Sequence, residues 1–295
     1  MFKSLTFTGI VIMLLVSCSQ LSTENSHGQS LLVELQSFNE QMLEKHPQTK
    51  SFGSFCAVAG ADFVGTIDGF KRGLKLGFRI GSMFGKGAEG AILGAGVMGL
   101  VCGVGSSYLA YRDVSEPVYM CQLDTAKLMK VTEYGVTNIK TARIQVNQGV
   151  KCEEKLVLPQ KAIDVGVLHN YVLERLIDDS GVNVDSESLG QLDSAILHSN
   201  EFRAEMASAL ESYEKNGVTL DSSSLPDKVI QLYQQVFEAC ADSYDDLALC
   251  INTYHDIVED SQELTENEKL SVYCSLSVSL YSLNYWKSNE EQLQI

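Results

Sequence analysis

The 295-residue chain lacks the short motifs by which many enzymes and metal proteins are recognised. It contains no C-x-x-C and no H-E-x-x-H, so it carries no strong signal for a zinc site. It also has no G-x-S-x-G elbow to present a nucleophilic serine and no calcium-loop spacing. We therefore expect a non-enzymatic protein without catalytic, cofactor-binding or metal-binding residues.

Basic residues are scarce as well. The chain has 22 Lys and Arg against 38 Asp and Glu, for a net charge of −16. Residues 53–151 hold 11 basic and 7 acidic side chains, whereas residues 152–295 hold 8 basic and 27 acidic side chains. An acidic body repels phosphate backbones, so we expect no nucleic acid partner. The mildly basic middle could lie against anionic lipid or form a solvated surface.

The N-terminus has the pattern of a targeting segment. Lys3 precedes an apolar run over residues 5–16, which is too short to span a bilayer and is typical of a signal peptide. The run ends in Leu15-Val16-Ser17-Cys18. This pattern resembles the lipobox of bacterial lipoproteins. The resemblance implies cleavage before Cys18, which would then carry a diacylglycerol and an amide-linked acyl chain such as palmitate.

The same resemblance implies a location. Two or more acyl chains hold a protein stably at a membrane, so Cys18 would make membrane lipid a durable partner. Ser19 is not the Asp that retains some lipoproteins at the inner membrane, which favours the outer membrane and leaves the leaflet open. Residues 19–30 are rich in Ser, Gln, Thr and Asn, a composition that predicts a flexible tether.

Glycine recurs at a step of four along residues 64–107. Such a step places small residues on one face of a helix, where a second backbone can approach closely. We predict two helices, over residues 57–83 and 90–111, that form a hairpin closed by its own glycine faces or by a neighbouring copy. The predicted packing residues are Gly65, Gly69, Gly73, Gly77, Gly81, Gly85, Gly90, Gly94, Gly99 and Gly103.

Charge separates the two predicted helices. In the first, Asp68, Arg72, Lys75 and Arg79 share one face, which makes it a poor independent membrane span. Residues 90–111 carry no charge and are long enough to span, although glycine weakens a helix by about 1 kcal/mol per residue relative to alanine. A G-x-G-x-x-G match within this stretch is better explained by the glycine repeat, because no strand–helix alternation follows.

This region resembles the glycine-zipper segments of small bacterial envelope lipoproteins, which are described as two-transmembrane glycine zippers. The resemblance covers the lipobox and residues 56–111 and rests on glycine spacing. It implies a hairpin that enters or touches a membrane. The charges on the first helix depart from that pattern.

The remaining pattern predicts a mainly α fold, with the Gly-rich hairpin, an antiparallel multi-helix domain and a small β-hairpin between them. Ser199 and a Thr265-x-x-Glu268 capping box mark two helix starts. Alternating residues around Asn147-Gln148-Gly149 suggest the β-hairpin. The predicted domains are 1–17 (signal peptide), 18–30 (tether), 31–113 (short helix and glycine hairpin), 114–158 (connector) and 159–295 (acidic helical domain).

Seven cysteines remain besides Cys18, and an envelope location permits disulfides. The pairs we consider are Cys121–Cys152 with either Cys240–Cys250 or Cys250–Cys274, and buried thiols are the alternative. The histidines are scattered, and His169 is predicted to lie near the inward face of its helix. Around Leu168-His169-Asn170 the chain resembles uncharacterised lipoproteins of Bacteroidetes-type bacteria.

Three functions remain open from the sequence. The first is a lipid-anchored envelope protein whose hairpin associates with the membrane or with itself, and whose acidic domain binds an unknown protein partner or scaffolds. The second is a pore-forming or membrane-perturbing protein with the cations of the first glycine helix in its lumen. The third is a soluble tethered binding module with the hairpin packed on the helical domain.

Overall fold

The computed structural model describes residues 30–46, 54–114, 123–146, 149–177 and 189–289. Over these ranges the chain forms eleven α-helices and one short 3₁₀ helix and contains no strand, so the predicted mainly α class is confirmed. The α-helices are α1 Leu31–Lys45, α2 Ser54–Ser82, α3 Gly87–Val114, α4 Thr125–Thr137, α5 Ile139–Val146, α6 Gln160–Ile177, α7 Gln191–Leu197, α8 Asn200–Asn216, α9 Leu225–Cys240, α10 Tyr244–Asp260 and α11 Glu266–Ser288.

Polar residues begin several of these helices, as predicted. The Ser199 hydroxyl accepts a hydrogen bond from the Phe202 N–H at the start of α8. Thr265 and Glu268 form the reciprocal capping box of α11. Such caps satisfy backbone N–H groups that have no partner inside the helix. The predicted starts of α8 and α11 are therefore confirmed.

The predicted β-hairpin is wrong within the described residues. Residues 142–146 belong to α5, and a 3₁₀ helix covers Glu153–Lys155. The side chains explain the difference: Ala142 is fully buried, Arg143 pairs with Asp164 of α6, and Ile144 is 67% exposed. A five-residue alternation cannot by itself separate a strand from a short helix that lies on a neighbouring helix.

Helices α2 and α3 form an antiparallel hairpin that makes the largest helix–helix interface of the described chain. Helix α11 packs along α2 and α6, while α6 and α8 pack against α3. The hairpin thus packs against helices from the C-terminal half, and Leu31–Ile295 forms one compact unit.

One described helix, Gly87–Arg112, has the length and apolar composition of a membrane span. However, 83% of its apolar window is buried inside the fold. The core helix of a folded domain has the same composition, because both must remove apolar side chains from water.

Candidate functional site

The interface between α2 and α3 is built from glycine and is called the glycine seam here. At Gly94, an added Cβ atom would lie 2.7 Å from the Gly73 carbonyl oxygen and 2.7 Å from the Gly77 Cα. At Gly65, an added Cβ would lie 2.6 Å from the Cys102 carbonyl oxygen. The positions where an added Cβ would meet the facing helix in this way are Gly65, Gly69, Gly73, Gly77, Gly81, Gly90, Gly94, Gly99 and Gly103. The two glycine faces therefore meet each other within one chain.

Gly85 follows the step of four but does not take part in the seam. An added Cβ there would meet no atom within 4 Å, and its φ of +68° is a conformation that favours glycine. The Lys86 N–H donates to the Gly81 carbonyl and the Gly85 N–H to the Ser82 carbonyl. These two bonds form a Schellman motif, which ends α2 and reverses the chain rigidly into α3.

A fully enclosed group of polar side chains, called the polar cluster here, lies beside the seam. It consists of Asp62 from α2, Ser107 from α3, His169 from α6, and Ser282 and Trp286 from α11. Each of the five is at most 1% exposed. Four helices thus contribute polar groups to one point in an otherwise apolar core.

Asp62 is the centre of the polar cluster. Its Oδ2 accepts hydrogen bonds from the Ser282 hydroxyl and, at 3.3 Å, from the Trp286 indole N–H, which also lies 3.2 Å from the Ser107 Oγ. Its Oδ1 lies 3.4 Å from His169 Nε2. The two atoms lie within ion-pair distance, but their geometry is not that of a hydrogen bond.

The second ring nitrogen of His169 also contacts a buried side chain. Its Nδ1 lies 3.1 Å from the Asn170 Oδ1, and the Asn170 amide donates to the Tyr281 carbonyl at 2.7 Å. A ring with 0% exposure has no surface on which a substrate could dock. The arrangement therefore links α2, α3, α6 and α11, and it is suited to holding the hairpin in place rather than to catalysis.

The cations of α2 meet acidic side chains of the C-terminal helices. Lys71 Nζ lies 2.6 Å from the Asp227 Oδ2 of α9, and Arg79 pairs with Glu201 of α8. Lys75 is exposed. The predicted charged face is thus largely paired with helices that follow much later in the chain.

Arg72 forms the most connected of these ion pairs. It contacts Asp68 at 2.7 Å and Glu205 at 2.8 Å, and the Tyr213 hydroxyl donates to Asp68 at 2.6 Å. Burial lowers the pKa of Arg72, but the hydrogen bonds to the two carboxylates outweigh it and raise the pKa above its ordinary value. Burial also raises the pKa of Tyr213. Arg72 therefore stays charged and joins α2 to α8.

An apolar surface remains at the end of the hairpin, and we call it the hairpin tip. It consists of Phe78, Met83 and Phe84, which are 55%, 74% and 41% exposed. A groove of about 490 Å³ adjoins it, lined by Arg79, Ile80, Met83, Phe84, Ala195, Ser199 and Glu201. Large apolar side chains concentrated at one exposed turn are typical of an interaction surface.

The structure describes only some of the cysteines for which a role is predicted. Cys18 and Cys121 lie outside the described residues, so the Cys121–Cys152 pair stays a prediction. The Cys152 thiol lies 3.1 Å from Asp245 Oδ1. Cys240 and Cys250 are buried thiols in hydrogen-bonding contact, and burial followed by this contact raises the pKa of Cys250. Cys274 is a buried thiol as well, so neither Cys240–Cys250 nor Cys250–Cys274 is formed in the structure, and both pairings stay predictions.

Asp62 and Trp286 are the functional candidates that the sequence pattern does not single out. Asp62 stands in the apolar first part of α2, and Trp286 is the chain's single tryptophan. An acidic residue within an apolar segment indicates that its side chain has a buried polar partner. Only the fold reveals that the partners of Asp62 lie more than 100 residues away.

The described part of the chain contains no group of three or more His, Cys, Asp or Glu side chains that could hold a metal ion. No protein-family model, curated protein or solved structure matches the chain significantly. Its function is therefore argued from its own residues.

Proposed function

We propose that this chain is a lipid-anchored, non-enzymatic protein of the bacterial cell envelope, in which the glycine hairpin is the core of the folded body. Cys18 carries the acyl chains, and residues 19–30 connect them to α1. The exposed acidic side chains of the C-terminal helices are the surface that meets a protein partner or acts as a scaffold. The lipid anchor and the acidic partner surface belong to the first function left open by the sequence, and the hairpin packed on the helical domain belongs to the third.

One observation carries the proposal: the helix that could span a membrane has 83% of its apolar window covered by the protein itself. Entry into a bilayer would exchange protein contacts for lipid contacts and would separate the polar cluster. A carboxyl group such as that of Asp62 is costly to leave without partners in an apolar medium. The packed hairpin is therefore favoured over the inserted one.

The pore-forming alternative receives less support. It requires the cations of α2 to face a water-filled lumen, whereas Lys71, Arg72 and Arg79 each contact a carboxylate of α8 or α9. The glycine faces needed for assembly between copies are occupied by each other. Self-association through another surface remains compatible with the proposal.

Metabolic labelling tests the anchor. Cys18→Ala in the full chain should abolish incorporation of labelled palmitate in a bacterial host. Cys152→Ala is the matched control, because Cys152 is the partly exposed cysteine among the described ones, and it should keep full labelling. Undiminished labelling of Cys18→Ala would refute the anchor.

A further inference from the structure

The hairpin tip lies at the same end of the helix bundle as the start of α1. Phe63, near the beginning of α2, packs on Phe237 near the end of α9, and the adjacent Asp62 contacts Trp286 near the end of α11. Lys71, further along α2, contacts Asp227 in the first turn of α9. The end of α2 therefore lies at the end of the bundle where α9 and α11 begin.

The first residue of α1 is fixed at that same end. The Leu31 N–H donates to the Glu263 carboxylate at 2.7 Å, and Glu263 lies three residues before α11 begins. The chain thus enters the folded body on the side that bears the tip. Cys18 is 13 residues before Leu31, and a chain of that length reaches at most about 45 Å even when fully extended.

The tip itself combines apolar and basic groups. Met83 and Phe84 lie on a turn that two backbone hydrogen bonds hold in one conformation, and Phe78 is exposed on the last part of α2. Lys75 is exposed beside them, and Lys86 is 53% exposed although it lies 3.1 Å from Glu89. Aromatic and thioether groups favour the interfacial layer of a bilayer, while neighbouring lysines reach anionic headgroups.

We propose that the hairpin tip is a second membrane contact, which dips into the interfacial layer of the anionic lipid surface to which the acylated Cys18 anchors the chain. This inference rests on the proposed function, because the anchor holds the tip within reach of lipid. Phe78, Met83 and Phe84 enter the headgroup–acyl boundary, and Lys75 and Lys86 contact lipid phosphates. The rest of the hairpin stays inside the folded body.

Tryptophan quenching by brominated lipid tests the tip. The full-length acylated protein carrying Phe84→Trp is placed in vesicles of phosphatidylethanolamine and phosphatidylglycerol, with and without bromine on the acyl chains. The emission added by the substitution should be lost in brominated vesicles. Leu249→Trp is the matched control: Leu249 is 49% exposed on α10, away from the tip, and its added emission should be unchanged.

A second position and a charge variant make the test independent of one substitution. Met83→Trp should behave as Phe84→Trp does, because Met83 is the most exposed of the three apolar side chains. Adding Lys75→Glu should reduce the quenching in anionic vesicles and should have no effect in vesicles of phosphatidylcholine, where the headgroups carry no net charge.

The outcomes separate this inference from the proposed function. If both introduced tryptophans keep their emission in brominated vesicles while Cys18 is acylated, the tip does not contact lipid and the inference is wrong. A blue-shifted but unquenched tryptophan at the tip would mean that protein, such as a second copy, covers it, which also overturns the inference. Quenching of the native Trp286 would instead contradict the packed hairpin of the proposed function.

Discussion

Asp62 illustrates how one residue can hold the hairpin to the remaining helices. Its carboxyl group receives hydrogen bonds from Ser282 and Trp286 and lies 3.4 Å from His169. A buried polar group whose partner is removed costs more than the hydrogen bond contributes, because the remaining partners stay desolvated. The stability of the polar cluster should therefore depend strongly on this side chain.

Asp62→Ala should lower the free energy of unfolding by about 3 kcal/mol, since Ser282 and Trp286 lose a hydrogen-bond acceptor and His169 loses the carboxylate beside it. Urea unfolding followed by Trp286 emission measures the change. Asp256→Ala is the control, because the Asp256 side chain is 71% exposed and surface changes of this kind stay within about 0.5 kcal/mol. Equal stability of the two variants would show that the polar cluster does not hold the helices together.

The buried thiols predict how stability depends on pH. Burial raises the pKa of Cys274 from its ordinary value near 9 to about 12. The native thiol therefore stays protonated at pH values where the unfolded thiol ionises. This contribution to stability is fully present below about pH 9 and is lost as the pH rises towards 12.

At about pH 10, ionisation of the unfolded Cys274 thiol should favour unfolding by about 1.4 kcal/mol relative to neutral pH. Cys274→Ala removes that group, so its alkaline loss of stability should be smaller by the same amount. Urea midpoints at the two pH values measure the difference for both proteins. An identical alkaline loss in both would show that Cys274 is not protected from ionisation by burial.

At the scale of elements, the glycine seam explains why a helix-breaking residue recurs in two long helices. The intrinsic cost of glycine in a helix is offset where a side chain would otherwise keep α2 and α3 apart. Not every glycine has this role, because a Cβ at Gly60 or Gly96 would meet nothing within 4 Å. Gly60 and Gly96 can therefore serve as control positions when close packing is tested by substitution.

Gly94→Ala and Gly96→Ala should have opposite effects on stability. The first inserts a methyl group 2.7 Å from the backbone of α2 and should destabilise the protein by about 2 kcal/mol or more. The second fills open space in the same helix and should stabilise it by about 0.5 to 1 kcal/mol through helix propensity. Urea unfolding of the two variants compares them, and equal changes would contradict close packing at Gly94.

Helix formation could be predicted from the chain more readily than helix environment. The step of four in glycine predicts α2 and α3, and the caps at Ser199 and Thr265 predict the starts of two later helices. The predicted β-hairpin is wrong because α5 packs on α6, and no local sequence pattern encodes that contact. Whether the glycine faces meet within the chain or between copies likewise depends on contacts between distant segments.

The polar cluster and the hairpin tip likewise could not be predicted from local sequence patterns. His169 could be placed on an inward face by helical spacing, but its approach to Asp62 joins positions 107 residues apart. The apolar side chains at the tip resemble core residues in the sequence, but no other helix covers them in the fold, and they are exposed. Sequence patterns report which residues are apolar or charged, whereas tertiary contacts decide what each one meets.

For the whole molecule, the main question is the environment of the hairpin at a membrane. Labelling of cysteines introduced at Val97 or Leu100 with a water-soluble reagent would not answer it. These side chains are 3% and 1% exposed inside the folded body, so they are protected whether lipid or protein surrounds α3. A probe is needed that distinguishes a protein core from both lipid and water.

Trp286 is such a probe, and it requires no substitution. It is the chain's single tryptophan, 1% exposed, and its ring stacks on Tyr111 of α3 at 4.9 Å while its N–H reaches Asp62 of α2. If the hairpin left the body to enter lipid, Trp286 would either follow it into the acyl chains or lose these partners to water.

The most direct test is therefore the emission of native Trp286 in the full-length acylated protein, bound to vesicles and exposed in turn to brominated lipid and to aqueous acrylamide. The packed hairpin predicts a blue-shifted emission that neither quencher reduces. Quenching by brominated lipid would place this core in the bilayer, and quenching by acrylamide would show that the hairpin has left it. Either result would contradict the account.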